Sequence, residues 1–516
     1  MTTLSQNRTA DFVTNSNYWD NIFQIFGGGV VFHFSTLETS NKFVSRPTNL
    51  FFAFDGKPRF SRQLDIFVSH SKGNYRFAPY GSALALNIRH RTRLYLRKRN
   101  SIGKENNNMI RSNSNYRTLP GQYLFAEVSR RVAAHLQKHP KSDLIRLGIG
   151  DVTLPLPPAV LDALRAAVEE QGTAEGFRGY GPEQGYAFLR ETICESCYSG
   201  LGVDPDEIFV SDGAKSDIGN FQELFSQDCR VAVTDPVYPV YVDSNVMAGR
   251  AGACKSDGSF ENILYLPCTD ANRFVPELPS TRPDLIYLCY PNNPTGVALT
   301  RGKLAEWVAY ARENGCILLF DAAYEAYISH PDVPHSIYEI PGAREVAVEF
   351  RSYSKTAGFT GLRCGFAVVP KEISVFENTG EKTSLHSLWF RRQTTKFNGC
   401  PYIVQRAAAA THTPEGQRQI KANIAVYMEN ARLIRSALEC SGYTVTGGEN
   451  SPYVWVTLPA GMDSWSFFEQ LLIKAGVVGT PGAGFGPCGE GHFRFTGFGN
   501  SKRTREAAER IQGMQI

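Results

Sequence analysis

Within twelve positions of the 516-residue chain, at 352–363, stand Ser352, Ser354, Lys355 and Arg363, with glycines at 358 and 361. A lysine amine can attack a carbonyl carbon, while two hydroxyls and a guanidinium can hold one phosphate. Alone, this stretch reads equally well as a solvated loop. Asp321 ends the apolar run 317–320, with Tyr324 three residues on. Its carboxylate either faces a ligand at the end of a strand or caps a helix. Asn293 lies in PNNPTG at 291–296, a composition that also suits an ordinary turn. SDGAK at 211–215 follows an apolar run and precedes a helical one. Amides and the helix dipole favour phosphate there, so Ala214 and Lys215 are candidates. Tyr238 follows Asp235 and Pro236 and offers a ring for stacking, or is simply a loop tyrosine.

What unites these residues is where they fall. Short apolar runs recur at 207–210, 230–233, 285–288, 316–320 and 347–350, each ending in polar or glycine-rich residues. Helical stretches such as 301–314 separate them, which is the alternation of a mostly parallel sheet with helices on both faces. In such α/β sheets ligands sit beyond the carboxyl ends of the strands, where every candidate above is found. Two further helices are predicted over 125–136 and 158–170, the second opened by prolines. From Asn398 a helical region runs through Cys440. Strand 453–458, helix 464–475, strand 493–496 and a helix from Ser501 follow. The expected division is therefore a leader at 1–108, an arm and large domain at 109–397, and a small α+β domain at 398–516.

The leader differs in kind from the rest. Over residues 1–108 Lys and Arg outnumber Asp and Glu by fifteen to six, whereas the whole chain carries +4. Neither helical period nor strand alternation is sustained there. A targeting peptide, a nucleic-acid-binding segment and a non-native stretch ahead of a start at Met109 are the three readings, and the last is favoured. Hydrophobic residues at 42% and charged residues at 20% are ordinary globular usage. No apolar run reaches the length of a membrane span, so a soluble protein is expected. The eleven cysteines are irregularly spaced between 194 and 488, as expected of reduced, buried thiols in a cytoplasmic compartment. Cys194 and Cys197 form a CxxC inside a helical pattern with no second pair, so no metal site is expected.

One cofactor makes all the demands that these residues meet. Pyridoxal 5'-phosphate needs a lysine for its aldehyde, a carboxylate for its ring nitrogen, donors for its phenolic oxygen and a cradle for its phosphate. The chain resembles the fold-type-I aminotransferases, of aspartate-aminotransferase-like architecture. From Asn113 onward it is similar to the LL-diaminopimelate aminotransferase family of lysine biosynthesis. IRLGIGD at 145–151, GYGPEQG at 179–185 and TKFNG at 395–399 are particular to that family. PNNPTG and the lysine loop are shared more widely.

The resemblance implies that Lys355 binds the cofactor and shuttles a proton, that Asp321 pairs with the ring nitrogen, and that Asn293 and Tyr324 hold the phenolic oxygen. Tyr238 would stack on the ring. Ala214, Lys215, Ser352, Ser354 and Arg363 would serve the phosphate, joined by Tyr180 from a second subunit of a homodimer. Arg494 would grip the substrate's reacting-end carboxylate. Tyr123, Gly150, Glu183, Lys215 and Asn398 would complete the substrate site, Glu183 and Asn398 across the dimer interface. A broader aminotransferase for aspartate or aromatic acids is the alternative. A regulator with an aminotransferase-like effector domain is a more distant one, since the basic leader lacks a helix-turn-helix pattern. The expected location is cytoplasmic, or plastid if the leader is a targeting peptide.

Overall fold

The computed structural model describes residues 110–119, 124–377 and 379–514, and the backbone of five short strands in the leader. The chain divides into two units, Met1–Ser112 and Asn113–Ile516. In the first, Gln24–Phe26, Gly29–Phe34, Thr48–Phe52, Ile66–Ser69 and Tyr75–Phe77 pair in sequence order as an antiparallel sheet. The leader thus carries strands that sequence pattern did not reveal, because runs of three to six residues are too short to establish alternation.

The second unit is organised by a seven-stranded sheet: β1 Ile208–Ser211, β2 Val231–Asp235, β3 Ile263–Pro267, β4 Leu285–Cys289, β5 Ile317–Asp321, β6 Ala347–Ser352 and β7 Gly365–Val368, in the order β1-β7-β6-β5-β4-β2-β3. All neighbours are parallel except β7, which runs antiparallel to both β6 and β1. Side chains alternate between faces, as strand geometry requires. Ile286 and Leu288 enter one core, Leu285, Tyr287 and Cys289 the other. Both faces are apolar because both are covered, so the strands read as continuous hydrophobic runs. All five predicted strands are present within two residues of their expected ends, whereas β3 and β7 had gone unrecognised.

A second sheet, β8 Thr444–Gly447, β9 Tyr453–Thr457, β10 Thr480–Pro481 and β11 His492–Thr496, has its own core. That core also takes in residues from ahead of the expected boundary at residue 398. Helix α1, Leu124–Lys138, places Leu124, Val128 and Val132 in it, and strand Ile145–Arg146 pairs with Val477–Val478. The small domain therefore draws on both ends of the second unit. The helical region expected over 398–440 is in fact two helices, α2 Tyr402–Ala410 and α3 Pro414–Cys440. Pro414 cannot continue a helix, and the Thr413 hydroxyl caps the new one by accepting the Gly416 N–H at 3.1 Å. Helix α2 packs on the large-domain core through Val404, Ala407 and Ala408, while α3 reaches from Ile420 in that core to Ile434 and Leu438 in the small one.

Candidate active site

Strand register brings the candidates to one edge. Cys289 lies opposite Asp321, Asp321 opposite Phe350, Ser352 opposite Gly365, and Gly365 opposite Ser211. Immediately beyond β6 the chain turns into the single helical turn Tyr353–Thr356, capped by the Ser352 hydroxyl, which accepts the Ser354 N–H at 3.1 Å. That turn aims Lys355 back across the edge, where its Nζ donates to the carbonyl of Gly150 and lies 5.6 Å from the centre of the Phe498 ring. Loss of water lowers the amine to about 8; Arg494 and Arg363 push it the same way and Asp151 opposes them. A group that titrates near working pH can both accept and donate a proton.

Asp321 is 8% exposed at the carboxyl end of β5. It accepts from the Tyr241 hydroxyl at 2.7 Å and from the Ala323 N–H at 3.0 Å. Burial raises its pKa and those two donors oppose the rise. A nearby cation would favour the charged form further.

On the other side of the site, Gly213 has φ of 131° and precedes the helix Ala214–Phe221. A Cβ at Gly213 would sit 2.6 Å from Nη2 of Arg363, and one at Gly365 would sit 2.8 Å from the Gly213 Cα. Only glycine lets a guanidinium, a strand and a helix N-terminus come this close, and the result is a cradle for an anionic group such as phosphate. Arg363 also donates to the Ser354 hydroxyl at 3.2 Å, and the Lys215 Nζ lies 5.9 Å from the Tyr238 ring. The cradle is braced from below: the Ser211 hydroxyl donates to Asp217 at 2.5 Å and accepts the Gly213 N–H at 3.1 Å. Burial pushes Asp217 up to about 8. With its folded value above its ordinary one, the stability it contributes is complete below about pH 4 and is lost as pH rises toward 8. Asp217→Asn should therefore gain stability over the parent as pH rises across that window, by up to about 1.4 kcal/mol per pH unit, read as a growing difference in Tm. A pH-independent difference would overturn the assignment.

Asn293 and Arg494 form the far wall. Arg494, 1% exposed in β11, donates through Nη1 to Asn293 Oδ1 at 2.5 Å and through Nη2 to the Gly148 carbonyl at 2.7 Å. Its guanidinium carbon lies 4.6 Å from the Tyr453 ring and 4.8 Å from that of Phe485. Tyr324 shares a hydrogen bond with Tyr453 at 2.8 Å and receives one from Asn293 Nδ2 at 3.5 Å. Asn293, Tyr324 and Arg494 are thus linked by hydrogen bonds, Arg494 and Lys355 both donate to carbonyls of the 148–150 segment, and Asp321 stands at the same sheet edge.

Three residues expected to act across a dimer interface lie outside this hydrogen-bonded set. Tyr180 is 93% exposed and Asn398 is also exposed. Glu183 is half-buried, and a Cβ at Gly399 would lie 3.1 Å from the Pro182 carbonyl, so the 395–399 loop packs beside the turn that carries Glu183. Tyr123 lies outside the described residues. Tyr241, Tyr453 and Asp217 were missed from sequence. Tyr241 stands three residues after Tyr238, a helical spacing that would have flagged it, whereas Tyr453 carries no local signal.

All eleven cysteines are unpaired. Five are buried, four are partly buried, and Cys254 and Cys440 are exposed. Burial pushes Cys197 up to about 11, the wrong direction for a reactive thiolate. Among the described residues no acidic, histidine or cysteine group is arranged to hold a metal, and no helix is long and apolar enough to cross a membrane.

The model of the aminotransferase class I and II family matches residues 142–511. The chain is 57% identical over 409 residues to the LL-diaminopimelate aminotransferase of Methanosphaera stadtmanae, covering 79% of this chain and 100% of that protein. It is 56% identical over 406 residues to the Lawsonia intracellularis protein of the same name, covering 78% and 99%. Among solved structures it is similar to L,L-diaminopimelate aminotransferase from Chlamydomonas reinhardtii, with a TM-score of 0.74 and 46% identity over 78% of this chain and 98% of that one. With a sheet edge that gathers a low-pKa lysine, a buried aspartate and a glycine-lined anion cradle, the chain belongs to the aminotransferase class I and II family, in its LL-diaminopimelate aminotransferase branch and with its fold-type-I architecture.

Proposed function

We propose that the protein is a pyridoxal-phosphate-dependent transaminase. It would exchange an amino group between LL-2,6-diaminopimelate and 2-oxoglutarate, giving glutamate and an amino-oxo acid that cyclises, with loss of water, to tetrahydrodipicolinate. The observation that carries the reading is that Lys355 and Arg494 both reach the 148–150 segment, with Asn293 and Tyr324 bonded beside them, in a chain 57% identical to a diaminopimelate aminotransferase. When bound, the cofactor supplies an electron sink for the pair released at the substrate's α-carbon. Lys355 would bond to the cofactor's aldehyde carbon and, once displaced by substrate, use Nζ to take and return the α-carbon proton. Asp321 would keep the ring nitrogen protonated, Asn293 and Tyr324 would hold the phenolic oxygen, and Tyr238 would stack on the ring. Ala214, Lys215, Ser352, Ser354 and Arg363 would hold the phosphate in the glycine-lined cradle. Arg494 would meet the substrate's reacting-end carboxylate with a fork oriented by Asn293 and Gly148.

The exposure of Tyr180 and Asn398 supports a homodimer with shared sites, in which Tyr180 reaches the partner's phosphate and Asn398 the substrate. Tyr123 and Gly150 would orient the distal part of the substrate. The unpaired cysteines support a reducing, cytoplasmic location for an enzyme of lysine biosynthesis.

Diaminopimelate differs from ordinary amino acids by a second ammonium and carboxylate at its far end. Glu183, half-buried in the turn beside 395–399, is assigned to that ammonium. Removing one partner of a buried charged contact costs about 2–5 kcal/mol, so Glu183→Gln should lower kcat/KM for LL-diaminopimelate by about a hundredfold or more. Its glutamate half-reaction and cofactor absorbance should be unchanged. An unaffected variant, or comparable turnover of aspartate by the unsubstituted enzyme, would favour the broad aminotransferase.

A further inference from the structure

One helix face lies behind the site and takes no part in the chemistry described so far. Tyr427 and Asn430 stand three residues apart on α3, a spacing that puts them on one side of the helix, and they are 3% and 0% exposed. The Tyr427 hydroxyl accepts two successive backbone donors, Thr153 N–H at 2.9 Å and Leu154 N–H at 2.7 Å. Asn430 Nδ2 donates to the carbonyls of Gly497 at 3.0 Å and Gly499 at 2.8 Å. Each side chain therefore ties down a different loop.

Both loops end at reactive groups. The 148–154 loop presents the Gly148 carbonyl to Arg494 and the Gly150 carbonyl to Lys355. Between the two carbonyls held by Asn430 stands Phe498, whose ring faces the Lys355 amine and meets the Tyr427 ring edge-on, with centroids 5.0 Å apart. The fit is close, since a Cβ at Gly497 would lie 3.0 Å from the Ala431 N–H nitrogen on α3. Neither loop has a regular secondary structure of its own across these residues. Their positions depend on what grips them.

We propose that Tyr427 and Asn430 are positioning residues, a polar clamp on α3 that holds the 148–154 and 497–499 loops against Lys355 and thereby keeps water from its amine. The assignment rests on Lys355 being the reactive amine. If the clamp loosens, the amine gains water and binds its proton more tightly, so a step that needs the free amine moves to higher pH.

The test uses the full-length holoenzyme and Tyr427→Phe, which removes one oxygen and leaves two backbone donors without their acceptor. Hydrogen exchange at Thr153 and Leu154 should quicken about tenfold, corresponding to about 1.4 kcal/mol of lost local protection. The ascending limb of the kcat–pH profile should move to higher pH by at least about half a unit. Asn430→Ala should quicken exchange at 497–499 and move the limb the same way. Glu429→Gln, on the exposed side of the same helix, should do neither. Unchanged exchange in Tyr427→Phe would overturn the clamp, and quickened exchange with an unmoved pH limb would overturn its action on Lys355. Borohydride fixation of the cofactor to another lysine in the unsubstituted enzyme would overturn the clamp's assignment to Lys355 and the functional reading together.

Discussion

Lys355→Ala is expected to lower turnover with LL-diaminopimelate and 2-oxoglutarate by at least about ten-thousand-fold, the upper range for removal of a general base and beyond it for a lost covalent attachment. The reason lies in the charge state of the amine as much as in its place. With its pKa lowered to about 8 by burial, Lys355 gives up its proton near working pH far more readily than an ordinary exposed lysine does. Burial, Arg494 and Arg363 produce that change together, opposed by Asp151. The competing amine is Lys215, itself exposed on the first turn of its helix, near the Tyr238 ring. Borohydride reduction of the holoenzyme followed by peptide mapping decides between them. Cofactor mass on the peptide containing Lys355 is the expected result, and its appearance on Lys215 would sink the assignment.

How much of this was legible in sequence depended on whether the information was local. Asp321, Asn293 and the 211–215 loop were found because strand ends can be read from where an apolar run stops, and the sheet type then says which ends matter. Their register with one another came from pairing between distant strands. The antiparallel strand β7 illustrates the limit: its Gly365 packs against Gly213 to close the glycine-lined cradle, yet nothing in its four residues shows that it lies between β1 and β6. The N-terminal contributors to the second core were hidden for the same reason. Helix α1 carries a clear apolar face at Leu124, Val128 and Val132, but a face does not name the core that receives it. Tyr427 and Asn430 were invisible, since a tyrosine and an asparagine on a long amphipathic helix look like ordinary packing until their loop partners are seen. The leader gave the reverse case, short paired strands with no periodicity long enough to detect.

Arg494 yields the second large effect and separates general carboxylate binding from choice of substrate. Its guanidinium is 1% exposed, stacked between Tyr453 and Phe485, and already oriented by Asn293 and Gly148, so its fork is set before a substrate arrives. Lysine in its place keeps a positive charge but loses the planar pair of donors and the stacking surface. Arg494→Lys is therefore expected to lower kcat/KM by about thirtyfold to a few thousandfold, the 2–5 kcal/mol typical of disrupting a buried charged pair. Because LL-diaminopimelate, glutamate and 2-oxoglutarate all carry a carboxylate at the reacting end, the loss should be of similar size for each, measured as separate half-reactions. Glu183→Gln should by contrast affect diaminopimelate alone. Equal losses in one variant and a selective loss in the other would assign the two ends of the substrate to opposite walls of the site. An Arg494→Lys enzyme that loses diaminopimelate turnover while keeping that of glutamate would place Arg494 at the distal end and overturn both assignments.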